Sequence, residues 1–352
     1  MTPLAQLLLR RIAATGPMTL ADYMAECLLH PEHGYYSTRE PFGTGGDFIT
    51  APEISQMFGE LMGLALAQSW LDQGAPAPFT LAEIGPGRGT LMADILRATR
   101  GVPGFHAAMQ VVLVEASSRL RARQGERLKG YEVTWAETVG DLPQAPLFLI
   151  ANEFFDALPI RQFTRDGDGW RETMVSAKSN DLALALGPKT RLALLEERLA
   201  DTRNGDVVEI CPEAGPIMAQ IATRIRTHGG TALIIDYGDW NGRGDTFQAL
   251  RDHRFADPLA EPGQADLTAH VDFAALAGAA QPIATAYTTQ GTMLERLGLA
   301  ARSARLAQQL TGTQLEAHLA ATRRLTDTKE MGSLFKVLVL HPTDTPTPPG
   351  AA

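Results

Sequence analysis

The chain has 352 residues, 45% hydrophobic and 20% charged, with 40 acidic against 31 basic side chains and a net charge of −9. That length suits one elaborated domain or two, and the acidic balance, with no run of Lys or Arg, gives no footprint for nucleic acid or an anionic membrane and leaves a neutral or basic partner. Cys27 and Cys211 are too few and too far apart for a disulfide framework or a zinc site and fit a reducing compartment, and no apolar run approaches the ~20 residues of a membrane span.

Residues 1–20 put Leu4, Leu7, Leu8 and Ile12 at helical spacing, which predicts an amphipathic helix with a core-facing stripe. Arg10 and Arg11 follow the apolar stretch, the reverse of a secretory signal; with no acid before Asp22, a mitochondrial presequence is the alternative. Residues 1–78 read as a helical N-terminal region broken by a loop at 31–52, rich in Gly, Pro and aromatics and long enough to need a function. From Phe79 strands over 80–84, 110–115, 132–135 and 147–151 alternate with helices over 89–99 and 118–129, the pattern of a parallel sheet with crossover helices. An insertion over 157–212 carries an antiparallel hairpin around Asp166-Gly167-Asp168-Gly169. A helix over 216–227 and a strand over 231–236 resume the alternation before a second, charged and Gly-rich insertion over 238–272. Helical pieces over 273–322, a strand over 283–288 and a final strand over 334–340 complete a core spanning 79–340, and the proline-rich 341–352 reads as a disordered tail.

The first predicted strand runs into Glu83-Ile-Gly85-Pro-Gly87-Arg-Gly89 and then a helix, so side chains are missing where a flat or charged ligand could approach the backbone at the strand's carboxyl end. A dinucleotide fingerprint would need its third Gly at position 90, which is Thr, and a P-loop would need a Lys. Glu115 ends the second strand beside this loop, where a carboxylate can accept bonds from both hydroxyls of a ribose; read alone, it is a solvated strand end. Acid, three glycines and a second acid at the next strand end form the pattern of class I S-adenosylmethionine methyltransferases. In that pattern Glu83 orients the loop or meets the ammonium of the methionine part. Asp141, after the third strand, is either the adenine contact or a simple turn residue.

The fourth strand runs into Asn152-Glu153-Phe154-Phe155-Asp156, where the transferable methyl would sit. Methyl transfer needs the acceptor's lone pair held along the breaking bond. A guanidinium is planar, delocalised and charged, and paired carboxylates grip it in a fork. Glu153 and Asp156 are candidates for that grip, against the simpler reading that Asn152 and Asp156 cap the following segment. His270, two residues before Asp272, could complete an acceptor pocket or be a structural hydrogen-bonder. His30 and His33 flank a turn and lack further ligands for a metal.

Gly45-Gly-Asp-Phe-Ile-Thr-Ala-Pro-Glu-Ile-Ser-Gln-Met-Phe-Gly-Glu, the segment from Glu83 to Gly89, and Asn152-Glu-Phe-Phe-Asp-Ala-Leu-Pro together resemble the MidA family, whose mitochondrial members are respiratory complex I assembly-factor methyltransferases. The likeness extends to His33-Gly-Tyr-Tyr, Ile235-Asp-Tyr-Gly, Ala265-Asp-Leu-Thr-Ala-His-Val-Asp-Phe and Met331-Gly-Ser-Leu-Phe-Lys-Val-Leu, and so covers nearly the whole chain. It implies a protein arginine methyltransferase forming symmetric dimethylarginine, with S-adenosyl-L-methionine as cofactor and a protein substrate such as a complex I core subunit. The expected fold is α/β, a class I Rossmann-like, seven-stranded, mostly parallel sheet with a helical N-terminal lid and an inserted substrate lobe. The resemblance also makes Gly46, Asp47, Phe48 and Thr50 expected covers for the methionine end of the cofactor. The compartment is the cytoplasm for a bacterial chain and the mitochondrial matrix for a eukaryotic one. A small-molecule methyltransferase and a cofactor-binding assembly chaperone with little catalysis stay open, as does the oligomeric state.

Overall fold

The computed structural model describes residues 1–38 and 50–351. The chain divides into two compact units, the first of Met1–Phe48, Phe155–Gly215 and Asp239–Ala274, the second of Ile49–Phe154, Pro216–Gly238 and Ala275–Ala352. The predicted helical region 1–78 is therefore split: its first part joins the two inserted segments, and its last part, the helix Gln56–Asp72, belongs with the main sheet.

Seven strands build the second unit: β1 Phe79–Ile84, β2 Met109–Val114, β3 Val133–Ala136, β4 Leu147–Asn152, β5 Gly230–Asp239, β6 Ala284–Thr289 and β7 Phe335–His341. They lie in the order β6-β7-β5-β4-β1-β2-β3, parallel from β5 through β3, with β7 antiparallel to both β5 and β6. This is the expected class I methyltransferase architecture. β1, β4 and β5 are buried at nearly every position because both sheet faces are covered. Alternate residues Phe79 and Leu81, Phe148 and Ile150, Leu233 and Ile235, and Val337 and Val339 share one core with Phe58, Met62 and Trp70 of the helix Gln56–Asp72. Phe79 stands 5.6, 4.9 and 5.3 Å from the rings of Trp70, Phe105 and Phe148, and burying each Phe contributes about 1.5–3 kcal/mol. This packing makes the carboxyl ends of β1, β2 and β4 a rigid platform.

The tail reading is corrected by the structure. Ala351 is buried in the same core, and a Cβ on Gly350 would meet Leu297 and Met293 at 2.9 and 3.0 Å, so apolar contact outweighs the local bias of the prolines.

In the first unit, Thr2 and Thr19 cap the helices Pro3–Thr15 and Leu20–Leu29, accepting from the amides of Ala5 and Asp22 at 3.1 and 3.0 Å. Leu4, Leu8 and Ile12 form the buried stripe, whereas Leu7 is 36% exposed and lies off it. The hairpin around Gly167 pairs Arg161–Asp166 with Gly169–Lys178, and the sheet gains Asp181–Thr190, Val207–Ile210 and the two-residue strand Met18–Thr19. Those three strands have no clear period in the sequence. A small sheet of Gln248–Arg251, Arg254–Ala256 and Asp266–Thr268 occupies the charged, Gly-rich insertion, for which the sequence suggested no strands.

Candidate functional site

β1 ends at Ile84, and the chain turns through Gly85, Gly87 and Gly89 at φ +65°, +49° and +75°, the left-handed region that glycine enters without steric cost. Gly85 also has no room for a side chain, since a Cβ would lie 3.0 Å from the Phe154 ring. Gly89 begins the helix Thr90–Ala98 with no capping side chain, so that helix's first amides need another acceptor. Glu83 provides it. The carboxyl accepts from the Met92 amide, while the buried Oε2 has no partner among the described residues, and burial pushes the group up to about 8.

Glu115 follows β2, its own amide bonded to the Ala136 carbonyl at 3.0 Å. Burial raises its carboxyl, opposed by bonds from the Ser117 amide at 2.8 Å and Gln124 Nε2 at 3.3 Å. Gln124 escapes a reading of the sequence. It is fully buried on an otherwise charged helix, donates to the Gly87 carbonyl at 2.8 Å as well as to Glu115, and accepts from Trp135 Nε1 at 2.8 Å. One amide thus fixes the spacing between the glycine loop and the acid of β2. Asp141 is a turn residue: its Oδ2 takes the Thr138 amide and hydroxyl at 2.9 and 2.8 Å, and those bonds hold its carboxyl below the usual range.

At the tip of β4, Glu153 has φ +53°, a conformation that costs a non-glycine residue about 1–3 kcal/mol and persists only where the surroundings impose it. β5 imposes it here. The Glu153 amide donates to the Ile235 carbonyl at 2.9 Å, and the Phe154 amide donates to Asp236 Oδ2 at 3.2 Å. Asp236 is fully buried and also accepts the Tyr237 amide at 2.9 Å, a second contributor that only its place in the Ile235-Asp-Tyr-Gly motif could have marked. Glu153 Oε1 accepts from Asn152 Nδ2 at 3.0 Å and from the Ala51 amide at 3.3 Å. Asn152 Oδ1 is buried without a partner among the described residues. Thr50 precedes the short helix Ala51–Ile54 and makes no side-chain cap bond to it.

The unit boundary falls between Phe154 and Phe155, so Asp156 and His270 belong to the first unit. Asp156 is 5% exposed; its carbonyl accepts from the Ala269 amide at 3.0 Å. Its charge, with that of Asp266, adds to burial in raising the Tyr36 phenol well above the usual range, and that phenol donates to Asp266 Oδ1 at 3.1 Å. The His270 amide donates to Thr246 Oγ1 at 2.8 Å, and Thr246 is tied in turn to Glu209. Gly46, Asp47 and Phe48 lie outside the described residues. Among the described residues, no helix is long and apolar enough to cross a membrane.

Residues 61–292 match the family model for S-adenosyl-L-methionine-dependent methyltransferases called Methyltransf_28. The chain is 36% identical to human "Protein arginine methyltransferase NDUFAF7, mitochondrial" over 97% of this chain and 84% of that protein, and 35% identical to the Drosophila melanogaster homolog over 96% and 85%. A crystal structure from Burkholderia thailandensis bound to S-adenosyl-homocysteine superposes with a TM-score of 0.85 at 29% identity, over 99% of this chain and 94% of that one. The residues present fit such a ligand: a side-chain-free turn of left-handed glycines, and buried oxygens of Glu83 and Asn152 left for outside donors.

Proposed function

The chain belongs to the MidA/NDUFAF7 family of S-adenosyl-L-methionine-dependent methyltransferases, and from that premise we propose that it methylates an arginine side chain of a protein partner. The human and Drosophila relatives are named as protein arginine methyltransferases, which supports this acceptor. The observation that carries it is Glu153, a carboxylate held at φ +53° at the end of β4 by two backbone anchors and two side-chain bonds.

When bound, S-adenosyl-L-methionine supplies an electrophilic methyl group on a sulfonium. We assign its binding to Gly85, Gly87 and Gly89 at the loop, Glu83 toward the ammonium, Glu115 toward the ribose, and Asn152 and Thr50 around the methionine end; for Gly46 and Asp47 a cofactor contact is what the family resemblance implies. Asp141 contributes by shaping the turn after β3, its carboxylate being engaged with Thr138.

Glu153 accepts N–H bonds from the acceptor guanidinium and draws its positive charge toward the bonded nitrogens, which leaves a lone pair on the attacking nitrogen. The bound cofactor would supply the methyl group, and Glu153 would hold the acceptor nitrogen toward it. A complex I core subunit and a symmetric dimethylarginine product are what the family resemblance implies for partner and product.

The test is mass spectrometry of arginine methylation in cells carrying wild-type chain or Glu153→Ala. Loss of specific methylarginine sites supports the proposal. An unchanged pattern overturns it, and turnover of free metabolites without any protein acceptor points to a small-molecule enzyme.

A further inference from the structure

Glu53 lies on the one-turn helix Ala51–Ile54 and faces the start of the helix that follows the glycine loop. Its Oε1 accepts the Thr90 hydroxyl at 2.6 Å, and its Oε2 stands 3.7 Å from an Arg88 guanidinium nitrogen. Thr90 is the first residue after Gly89, and Arg88 is inside the loop. Arg127 donates to the same Thr90 hydroxyl at 3.1 Å, which turns its proton toward Glu53. Two residues before Glu53 in the same turn, the Ala51 amide reaches Glu153 Oε1 at 3.3 Å. A single helical turn therefore touches the glycine loop with a side chain and the carboxylate of β4 with its backbone. The Glu53 side chain is 19% exposed, so its bond to Thr90 is shielded from much of the competing water.

We infer that Glu53 is a positioning residue that couples the glycine loop to Glu153, so that a nucleoside-bearing ligand seated at the loop also fixes the turn that orients the acceptor-side carboxylate. This rests on the reading of Gly85–Gly89 as the cofactor loop. Glu53 itself touches neither reacting atom; it transmits the loop's position through Thr90 and Arg88. Coupling of this kind is reciprocal, so a ligand that steadies the turn must bind more weakly when the connection is cut.

The experiment is amide hydrogen exchange of peptides covering residues 50–55, with and without S-adenosylhomocysteine, together with calorimetric titration of the same ligand. In the wild type, the ligand should slow exchange in 50–55 several-fold. Glu53→Ala should bring that ratio close to one and weaken S-adenosylhomocysteine about five- to tenfold, as expected for loss of one charge-assisted hydrogen bond from the coupling. Thr90→Val removes the partner rather than the acid and should do the same, which covers the case of a poorly folded Glu53→Ala. Glu53→Gln keeps an acceptor for the Thr90 hydroxyl and should retain most of the protection, whereas a turn that is merely structural would exchange faster with and without ligand and leave the ratio unchanged. Ligand binding with an unaltered ratio in both Glu53→Ala and Thr90→Val overturns the inference alone. Failure of the wild type to bind S-adenosylhomocysteine overturns the cofactor reading of the loop and the inference with it.

Discussion

Replacing Glu83 by Gln should make the protein more stable above neutral pH while weakening its grip on the cofactor. Burial holds the Glu83 carboxyl at about 8 against an ordinary 4.5. Between those values the unfolded chain has released a proton that the folded chain keeps. Stability therefore falls as pH rises, by about 1.4 kcal/mol per unit and about 5 kcal/mol over the interval. Below 4.5 both states are protonated and above 8 both are ionised, so neither limb slopes on account of this group. Gln cannot titrate, and its carbonyl oxygen can keep the Met92 bond. Its amide nitrogen, however, brings two N–H donors to the place of the unpaired Oε2, where the protonated carboxyl has one O–H, and a buried unpaired donor costs about 1–3 kcal/mol. The two stability curves should cross near about pH 6, with the variant ahead by about 2–4 kcal/mol at about pH 8. Denaturant unfolding followed by tryptophan fluorescence from about pH 5 to 9 measures this directly. A stability difference that does not change with pH would refute the burial argument, and undiminished S-adenosylhomocysteine affinity in the variant would refute the role of Glu83 at the cofactor.

Gly85→Ala forces a Cβ into both a left-handed backbone and the Phe154 ring at 3.0 Å; it should cost about 1–3 kcal/mol of stability and at least about tenfold in S-adenosylhomocysteine affinity, and calorimetry showing wild-type affinity would count against the loop. Glu153→Gln can still accept from Ala51 and Asn152, so its unfolding free energy should stay within about 0.5 kcal/mol while arginine methylation falls at least about 100-fold; equal losses in both would mean the residue is only structural. Gln124→Leu strips partners from the Gly87 carbonyl and the Trp135 indole N–H, for an expected loss of about 2–3 kcal/mol, and thermal unfolding that matches the wild type would show that the amide bridge is dispensable.

The core strands were legible because burial on both faces favours uninterrupted apolar runs, and β2, β4, β5 and β7 each have one, while β1 is marked by the glycine loop that follows it. Asp181–Thr190 was not, since a strand exposed along most of its length has little reason to carry a hydrophobic period. The tail misled because proline content speaks of local conformation, whereas Gly350 lies close to Leu297 and Met293 from far along the chain and Ala351 is buried in the core. At the site, the glycines and Glu115 declared themselves by position, each next to a strand end. Gln124 and Asp236 work through partners as far as 37 and 82 residues away, and no local pattern announces a bond of that reach.

β7 follows both β5 and β6 in the chain, yet it lies between them and is the strand that joins them. While the polypeptide emerges from the ribosome, β6 is made with nothing to pair with, and β5 presents a bare flank of apolar residues from Ala232 to Ile235. Such a flank is a template on which another chain can add a strand. A chain cut short before Phe335 thus yields more than a slightly smaller enzyme; it yields a protein with an open seam, suited to chaperone capture or to aggregation, because Phe335–His341 is the segment that closes it.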